Sequence, residues 1–311
     1  MAFDVTALAA YVEQEDFALM SQMQATGGMQ DIAKIQVGIK GSSALQFMNT
    51  DVVFQADSCS RSASGTTTFS QRTITVGDVA IHEDLCVKDL NGFWAQTLVA
   101  QGCAGEESLP TPIEQIFIED KLNGIKNALD VADWQGLIGS ATNNLSYYDG
   151  WIEVIDTAAA SVNGNPTAIT AGTGITDANV IGILQGMWKL IPESILAQED
   201  LYFFLGSDVY RSYVNALINA NLFHFIGEDG IATLFGTDVK VSRQVGLTGT
   251  NRIFLGRGSN FVLGMDGSDD EDSYKIRLDP VSEKSILYDA CFKRGTQVAF
   301  PDEIVEFTLV P

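Results

Sequence analysis

The chain has 311 residues, of which 46% are hydrophobic and 19% are charged. This composition is typical of a globular protein and excludes wholesale disorder. No apolar run approaches the roughly 20 residues needed to span a bilayer, and the acidic N-terminus lacks the basic stretch of a signal peptide. The sequence therefore predicts a cytosolic protein without a membrane segment.

The charge is strongly negative. Forty acidic residues against eighteen basic ones give a formal net charge of −22. A surface of this sign is repelled by phosphate backbones, so the composition excludes a classical nucleic-acid binder.

The first predicted element is an amphipathic helix over residues 6–24. Its apolar residues recur at roughly helical spacing, and Gly27 and Gly28 follow it. A helix before a glycine break suits an arm that docks on another surface, and it equally suits a peripheral helix on its own domain.

A long hairpin is predicted next. Strand-like residues 44–57 and 69–81 flank a tip rich in Ser, Gly and Thr. In the outgoing strand, Ile74 and Val76 share one face. A two-stranded hairpin cannot bury both of its faces against itself. We therefore expect it to lie on another surface, in this chain or in a neighbour.

The strongest helix prediction covers about residues 112–138. Thr111 and Glu114 form a capping box, with Pro112 at the first helical position. Downstream residues supply an apolar stripe that includes Ile125 and Leu129. Charged and polar residues are expected on the exposed face: Glu119, Asp120, Lys121, Asn123 and Lys126.

The second half of the chain predicts an α+β arrangement. Residues 150–161 are interpreted as a short strand, and a turn-rich connector follows. Helices are predicted to start at Asp177 and Ser207, with residues 201–206 between them as a fully buried strand. From residue 233 onward, strand-like runs alternate with turns.

Catalytic chemistry finds no support in the sequence. His82 and His224 have no Cys, His or carboxylate group at ligand spacing, and the four cysteines contain no CxxC pair. The acidic run 266–272 lacks the pattern of an EF-hand loop and is interpreted as a solvated loop. The sequence therefore predicts no catalytic residue, no cofactor, no metal and no enzyme.

The order of these parts resembles the HK97-like fold of the major capsid proteins of tailed bacteriophages. The resemblance covers about residues 35–311. Four segments carry it: FSQRTITVGDVAIHEDLCVKDL (69–90), LYFFLGSDVYRSYVNAL (201–217), LFGTDVKVSRQV (234–245) and KRGTQVAFPDEIVEF (293–307).

The resemblance implies a fold of class α+β and a division of the chain. In order, the parts are the N-terminal arm (1–37), the E-loop (38–83), the P-domain (84–160) with its spine helix at about 112–138, the A-domain (161–270), return strands of the P-domain (271–293) and a C-terminal segment of the A-domain (294–311).

The resemblance also implies a function. Such proteins self-assemble into hexamers and pentamers of an icosahedral shell around double-stranded DNA, which they enclose without sequence-specific binding. The expected partners are other copies of the chain, a portal, and decoration or scaffolding proteins, with no membrane; the expected location is the virion, after assembly in the host cytoplasm. The alternatives are an encapsulin-like compartment and a non-capsid phage structural protein.

In this family each E-loop lies over the P-domain of a neighbour. Arg61 and Arg72 are the only basic residues between Lys40 and Lys88. We therefore expect them to contact acidic residues, such as Glu119 or Asp120, on the long helix of the adjoining subunit. Some members crosslink an E-loop lysine to a neighbouring asparagine, but here the hairpin has no lysine after Lys40, which argues against a covalent crosslink.

Overall fold

The computed structural model describes residues 29–55, 64–86, 113–165, 174–222, 233–234, 236–266, 273–278 and 285–309. The strands are β1 (Lys34–Val37), β2 (Ser42–Asp51), β3 (Thr66–Thr75), β4 (Gly77–Cys86), β5 (Val162–Asn163), β6 (Leu201–Gly206), β7 (Lys240–Gln244), β8 (Arg252–Arg257), β9 (Phe261–Met265), β10 (Ser273–Leu278), β11 (Ser285–Val298) and β12 (Val305–Thr308). The α-helices are α1 (Ile113–Gln135), α2 (Trp151–Ala158), α3 (Val180–Trp188), α4 (Glu193–Leu196) and α5 (Ser207–Asn219). None of the described helices is both long and apolar enough to cross a membrane.

The first sheet is built around β11, a strand of 14 residues. On one side β11 pairs antiparallel with β4. On its other side it pairs first with β10 and then with β9, and β9 also pairs with the short parallel strand β1. Alternate residues of β11 are buried from Ile286 to Arg294. The long helix α1 lies on this buried face, where Asp133 bonds to Arg294 and Lys121 bonds to Glu83 of β4.

The second sheet has the strand order β5-β12-β8-β6-β7. Helices α3 and α5 pack on one face of it, and residues such as Leu184, Tyr213 and Phe203 form a shared core. The other face packs against α1 and α2 through Phe204 and Phe254. Because β6 is covered on both faces, its sequence is apolar almost throughout.

An aromatic cluster joins the two sheets. The ring of Trp134, at the end of α1, lies 5.2 Å from that of Trp151 of α2, 5.5 Å from that of Phe254 and 5.8 Å from that of Phe204. Phe261, which belongs to the first sheet, packs at 4.9 Å against Phe204 of the second. These side chains are fully buried. The two sheets therefore share one continuous core around the end of α1.

The hairpin of β2 and β3 is a separate two-stranded ladder, running from Ser42 opposite Thr75 to Asp51 opposite Thr66. Among the hairpin residues that the structure describes, those at the root are packed on the body. There Leu45 and Ile74 form a small cluster with Ile39, Val76 and Val262 of β9. The rest of the hairpin extends beyond this cluster.

Several sequence predictions are confirmed by these elements. The long helix, the hairpin, the buried strand at 201–206 and the helix that starts at Ser207 are all present. Ile74 and Val76 are both buried, as their shared face predicted. The helix predicted from Asp177 instead begins after Asn179. The predicted helix at 6–24 lies outside the described residues.

Two predictions are wrong. Residues 151–158 form helix α2 rather than a strand, because Trp151 and Ile155 lie one helical turn apart and both enter the core. An apolar run this short is compatible with the periodicity of a helix and with that of a strand, so the pattern did not distinguish between them. Lys121 is not on a purely exposed face of α1, since its ammonium group lies 2.5 Å from the Glu83 carboxylate of β4.

Candidate assembly surfaces

A buried polar network fixes α1 to β11. The guanidinium group of Arg294 donates from Nε to one carboxylate oxygen of Asp133 at 2.8 Å, and from a terminal nitrogen to the other oxygen at 2.6 Å. The hydroxyl of Tyr148, in the loop after α1, donates to Asp133 at 2.8 Å. All three side chains are buried. The network therefore locks the helix, the loop and the central strand into one rigid unit.

The electrostatics of this network follow from its burial. Burial alone lowers the pKa of Arg294, but the charge and hydrogen bonds of Asp133 outweigh it and hold the pKa above its ordinary value. Burial, followed by the negative charge of Asp133, raises the pKa of Tyr148 well above its usual range. Arg294 is thus charged and Tyr148 neutral at any physiological pH, and neither group is poised to exchange a proton.

The root of the hairpin is attached to the end of β11. Gln297 donates to the carbonyl of Thr73 at 2.6 Å, and Arg72 donates to the carbonyl of Val298 at 3.4 Å. At Gly295 the strands β3 and β11 pass so closely that a Cβ atom on this residue would collide with the carbonyl oxygen of Thr75. A side chain at this position would therefore displace β3 from its place beside β11.

Beyond the root, the hairpin presents large apolar side chains to solvent. Phe47 is half-buried, and its ring packs 5.0 Å from that of Phe300. Three large apolar side chains further out are exposed: Met48 by 64%, Phe69 by 80% and Phe54 by 96%. Met48 and Phe69 are directly opposite in the ladder, so they form a cross-strand pair on one face.

A half-open cavity of about 370 Å³ lies between α1 and the strands β4 and β11. Its walls are mostly apolar and its rim carries Glu83, Asp120 and Lys121. The apolar lining includes Val79, Ile81, Ile125, Ala128, Leu129 and Phe292.

The structure places the predicted contact residues on two different surfaces of the chain. Arg72 lines a groove with Asp149 and Glu153, beside the root of the hairpin. Glu119 and Asp120 are exposed on the early part of α1, and Asp120 also lies at the rim of the cavity. Arg61 lies outside the described residues. A single copy of the chain therefore does not bring Arg72 to Asp120.

Sequence reasoning missed the network around Asp133. A signal for it is present in β11, where Arg294 occupies a buried position of an otherwise apolar alternation. An arginine in that phase needs a buried acidic partner. Asp133, beside the apolar stripe of α1, is that partner. Asp130 is also buried, and its carboxylate accepts a hydrogen bond from the backbone N–H of Gly246.

No protein-family model matches this sequence, and no curated protein matches it either. Solved structures do match. A chain of the satellite phage P4 procapsid, solved with the size determination protein, is 13% identical, with a TM-score of 0.60 over 94% of this chain and 90% of that one.

Two further structures match in the same way. For the capsid of the empty GTA particle, the identity is 13% and the TM-score 0.55, over 91% of this chain and 90% of that one. For the mature capsid of bacteriophage PhiM1, the identity is 11% and the TM-score 0.51, over 91% of this chain and 87% of that one. The chain therefore has the α+β fold of phage capsid proteins, as the HK97-like resemblance of its sequence predicted.

Proposed function

We propose that this chain is the major capsid subunit of a tailed phage or a phage-like particle. Copies assemble into hexamers and pentamers of an icosahedral shell that encloses double-stranded DNA. The observation that carries the proposal is the capsid fold itself, which extends over nine-tenths of the chain and of the structures it matches.

The form of the hairpin supports an assembling protein. Its root is held by the body, whereas its distal half exposes Met48, Phe69 and Phe54. Exposed apolar side chains clustered in this way mark an interaction surface. In a shell, this surface is covered by the adjoining subunit.

The charge of the chain supports a container that does not bind its contents tightly. At −22 the protein repels nucleic acid over a Debye length, about 8 Å at physiological salt. DNA in such a shell is confined by the wall and is not bound sequence-specifically. Portal, scaffolding or decoration proteins, assembly in the host cytoplasm and a final place in the virion belong to this proposal.

The two sheets support a division of the chain into the parts expected of a capsid subunit. In the proposal, residues 1–37 are the N-terminal arm, 38–83 the E-loop and 84–160 the P-domain, with α1 as its spine helix. Residues 161–270 and 294–311 form the A-domain, and 271–293 return to the P-domain. In this division the second sheet with α3 and α5 is the A-domain core, and β10 and most of β11 lie in the P-domain sheet. β4, which pairs with β11, runs from the end of the E-loop range into the P-domain.

We also propose that Arg61 and Arg72 meet Glu119 or Asp120 of the adjoining subunit. Support comes from the exposure of Glu119 and Asp120 on α1, and from the partial exposure of Arg72 at the root of the hairpin. Exposed pairs contribute only about 0–1 kcal/mol each, so their effect depends on repetition around the shell.

Electron microscopy and sedimentation of the purified recombinant chain test the proposal. We expect closed shells, or hexamers and pentamers that convert to shells. A stable monomer under every condition, including the presence of lysate from phage-infected cells, would overturn it. An enzyme that co-purifies inside the shells would instead identify an encapsulin-like compartment.

A further inference from the structure

Small side chains of α1 keep open the cavity between this helix and the strands β4 and β11. Gly124, Ala128 and Ala132 recur at every fourth position, so they share one face of the helix, and all three line the cavity. A Cβ atom added at Gly124 would meet no atom within 4 Å. Apolar space that side chains leave unfilled forfeits packing contacts along its walls. A molecule that enters the cavity would restore those contacts.

The walls of the cavity suit an apolar molecule that contains a ring. Aliphatic side chains such as Val79 and Ile125 form one part of the lining, and the rings of Tyr148, Tyr288 and Phe292 form another. Small-molecule sites are typically lined in this way and measure roughly 300–1,000 Å³. The volume of about 370 Å³ lies within that range. Since an apolar cavity of about 150 Å³ already holds benzene, this one has room for a ring that carries a short alkyl chain.

The rim of the cavity is acidic. Lys121 is paired with Glu83, at a nitrogen–oxygen distance of 2.5 Å, so these two charges offset each other. Asp120 is exposed at the same rim, and its carboxylate has no ion-pair partner among the residues that the structure describes. The whole chain adds a net charge of −22 to this local excess. The electrostatic field at the mouth therefore attracts cations and repels anions.

We propose that this cavity binds a small amphiphilic cation, namely an amine that carries an aromatic or aliphatic group. The apolar group enters between α1 and β11, and the ammonium group stays at the mouth, where it donates to the Asp120 carboxylate. Burial of the apolar group supplies most of the affinity. The charge at the rim selects the cation over an anion of the same shape. This binding site goes beyond the proposed shell function and does not depend on it.

Three ligands that differ only in their polar end test the proposal. Phenylbutylamine, phenylbutanol and phenylpentanoate share a phenyl ring on a four-carbon linker, and they end in an ammonium group, a hydroxyl group and a carboxylate. Saturation-transfer NMR and isothermal titration calorimetry measure their binding to the full-length chain at low salt. The chain is kept unassembled, because Arg72 of a neighbouring copy would compete for Asp120.

The expected order of affinity follows from the two parts of the site. The apolar part is the same for the three ligands, so the order depends on the rim. An exposed ion pair changes an affinity by at most about fivefold, so we expect the amine to bind about threefold more tightly than the alcohol and about tenfold more tightly than the carboxylate. Asp120→Asn should erase the preference for the amine and leave the affinity of phenylbutanol unchanged. Its control is Glu119→Gln, which removes the same charge from the neighbouring position, outside the described lining.

Variants that fill the cavity locate the binding site. Gly124→Trp places a ring in the open space beside α1 and should abolish the binding of all three ligands. Gly124→Ala adds only a methyl group and should leave their binding nearly unchanged. Ala128→Phe repeats the test from the next turn of the helix. Circular dichroism shows whether each variant is folded, so that loss of binding is scored only for folded subunits.

Each outcome supports or overturns a stated part of the proposal. If none of the three ligands binds, the cavity is not a binding site. Equal binding of the three, or tightest binding of phenylpentanoate, would overturn the choice of a cation. Binding that persists in both Gly124→Trp and Ala128→Phe would mean that the ligand lies elsewhere, and an amine preference that persists in Asp120→Asn would overturn the role of Asp120. Failure of the shell function would leave these results unaffected, because they are measured on the unassembled chain.

Discussion

Asp133 of α1 and Arg294 of β11 form a buried, bidentate ion pair, with nitrogen–oxygen distances of 2.8 and 2.6 Å. The two residues are 161 positions apart in the chain. Their pairing joins α1 to β11, and that rigid unit carries both the hairpin root and the cavity. The assembly surfaces are therefore only as well defined as this pair.

Removing one partner of this ion pair should lower the free energy of unfolding much more than removing both. Arg294→Met leaves the Asp133 carboxylate buried without its counter-charge, and we expect a loss of about 3–5 kcal/mol in the free energy of unfolding. Urea denaturation of the unassembled subunit measures it. The double variant Asp133→Leu with Arg294→Met should recover most of the loss. A single variant within 1 kcal/mol of the unmodified protein would show that the pair is not essential.

Tyr148 should make the stability of the subunit sensitive to alkaline pH. Its pKa is raised in the folded state, so below about pH 10, where tyrosine is protonated in both states, its contribution is fully present. As the pH rises further, the unfolded tyrosine ionises first and the folded state loses about 1.4 kcal/mol per pH unit.

Tyr148→Phe isolates this effect. The variant loses the hydrogen bond to Asp133, so at pH 7 it should be less stable by about 1.5–3 kcal/mol. Between pH 10 and 11.5 the difference should narrow, because phenylalanine does not ionise. Unfolding curves over this range measure the gap, and a constant gap would mean that Tyr148 ionises equally in both states.

How far the sequence predicted this molecule depends on the range of the interactions involved. The long helix and the hairpin follow from local signals, namely the capping box at Thr111 and the alternation that includes Ile74. The helical structure of residues 151–158 does not follow from local signals. It depends on distant contacts, because Trp151 packs against Trp134 and Phe261 only in the folded chain.

The candidate surfaces divide in the same way. The sequence predicted that the hairpin needs a surface outside itself, because two strands alone cannot bury both of their faces. The cavity was not, because α1 and β11 create it together and lie far apart in the chain. The pairing of Asp133 with Arg294 was not predictable either, although the alternation of β11 places Arg294 at a buried position.

Shortening the hairpin should separate folding from assembly. Replacing residues 48–69 by Asn-Gly joins Phe47 to Ser70 through a two-residue turn and leaves the packed root intact. We expect a folded subunit with nearly unchanged thermal stability that forms no shells. Sedimentation measures the assembly, and normal shells from this variant would mean that the hairpin is dispensable.

The ion pair proposed between subunits can be tested by charge exchange. Arg72→Glu should weaken shells towards heat and salt, because it places like charges at the contact. Adding Asp120→Arg to the same chain should restore part of the loss. Arg72→Gln controls for the lost hydrogen bond to Val298. If shells of Arg72→Glu resist heat and salt like the unmodified ones, Arg72 has no role between subunits.

Covalent crosslinking of the shell is not expected, since the hairpin has no lysine after Lys40. Mature particles boiled in denaturant should run on a gel as a monomer of 33.6 kDa. A ladder of dimers and higher multimers that resists reducing agent would prove this expectation wrong.

The most direct test of the whole account is a cryo-electron microscopy reconstruction of particles assembled from the purified chain. We expect closed shells in which the hairpin of each subunit crosses to its neighbour. Particles in which the hairpin folds back on its own subunit, or a chain that remains a monomer, would contradict it.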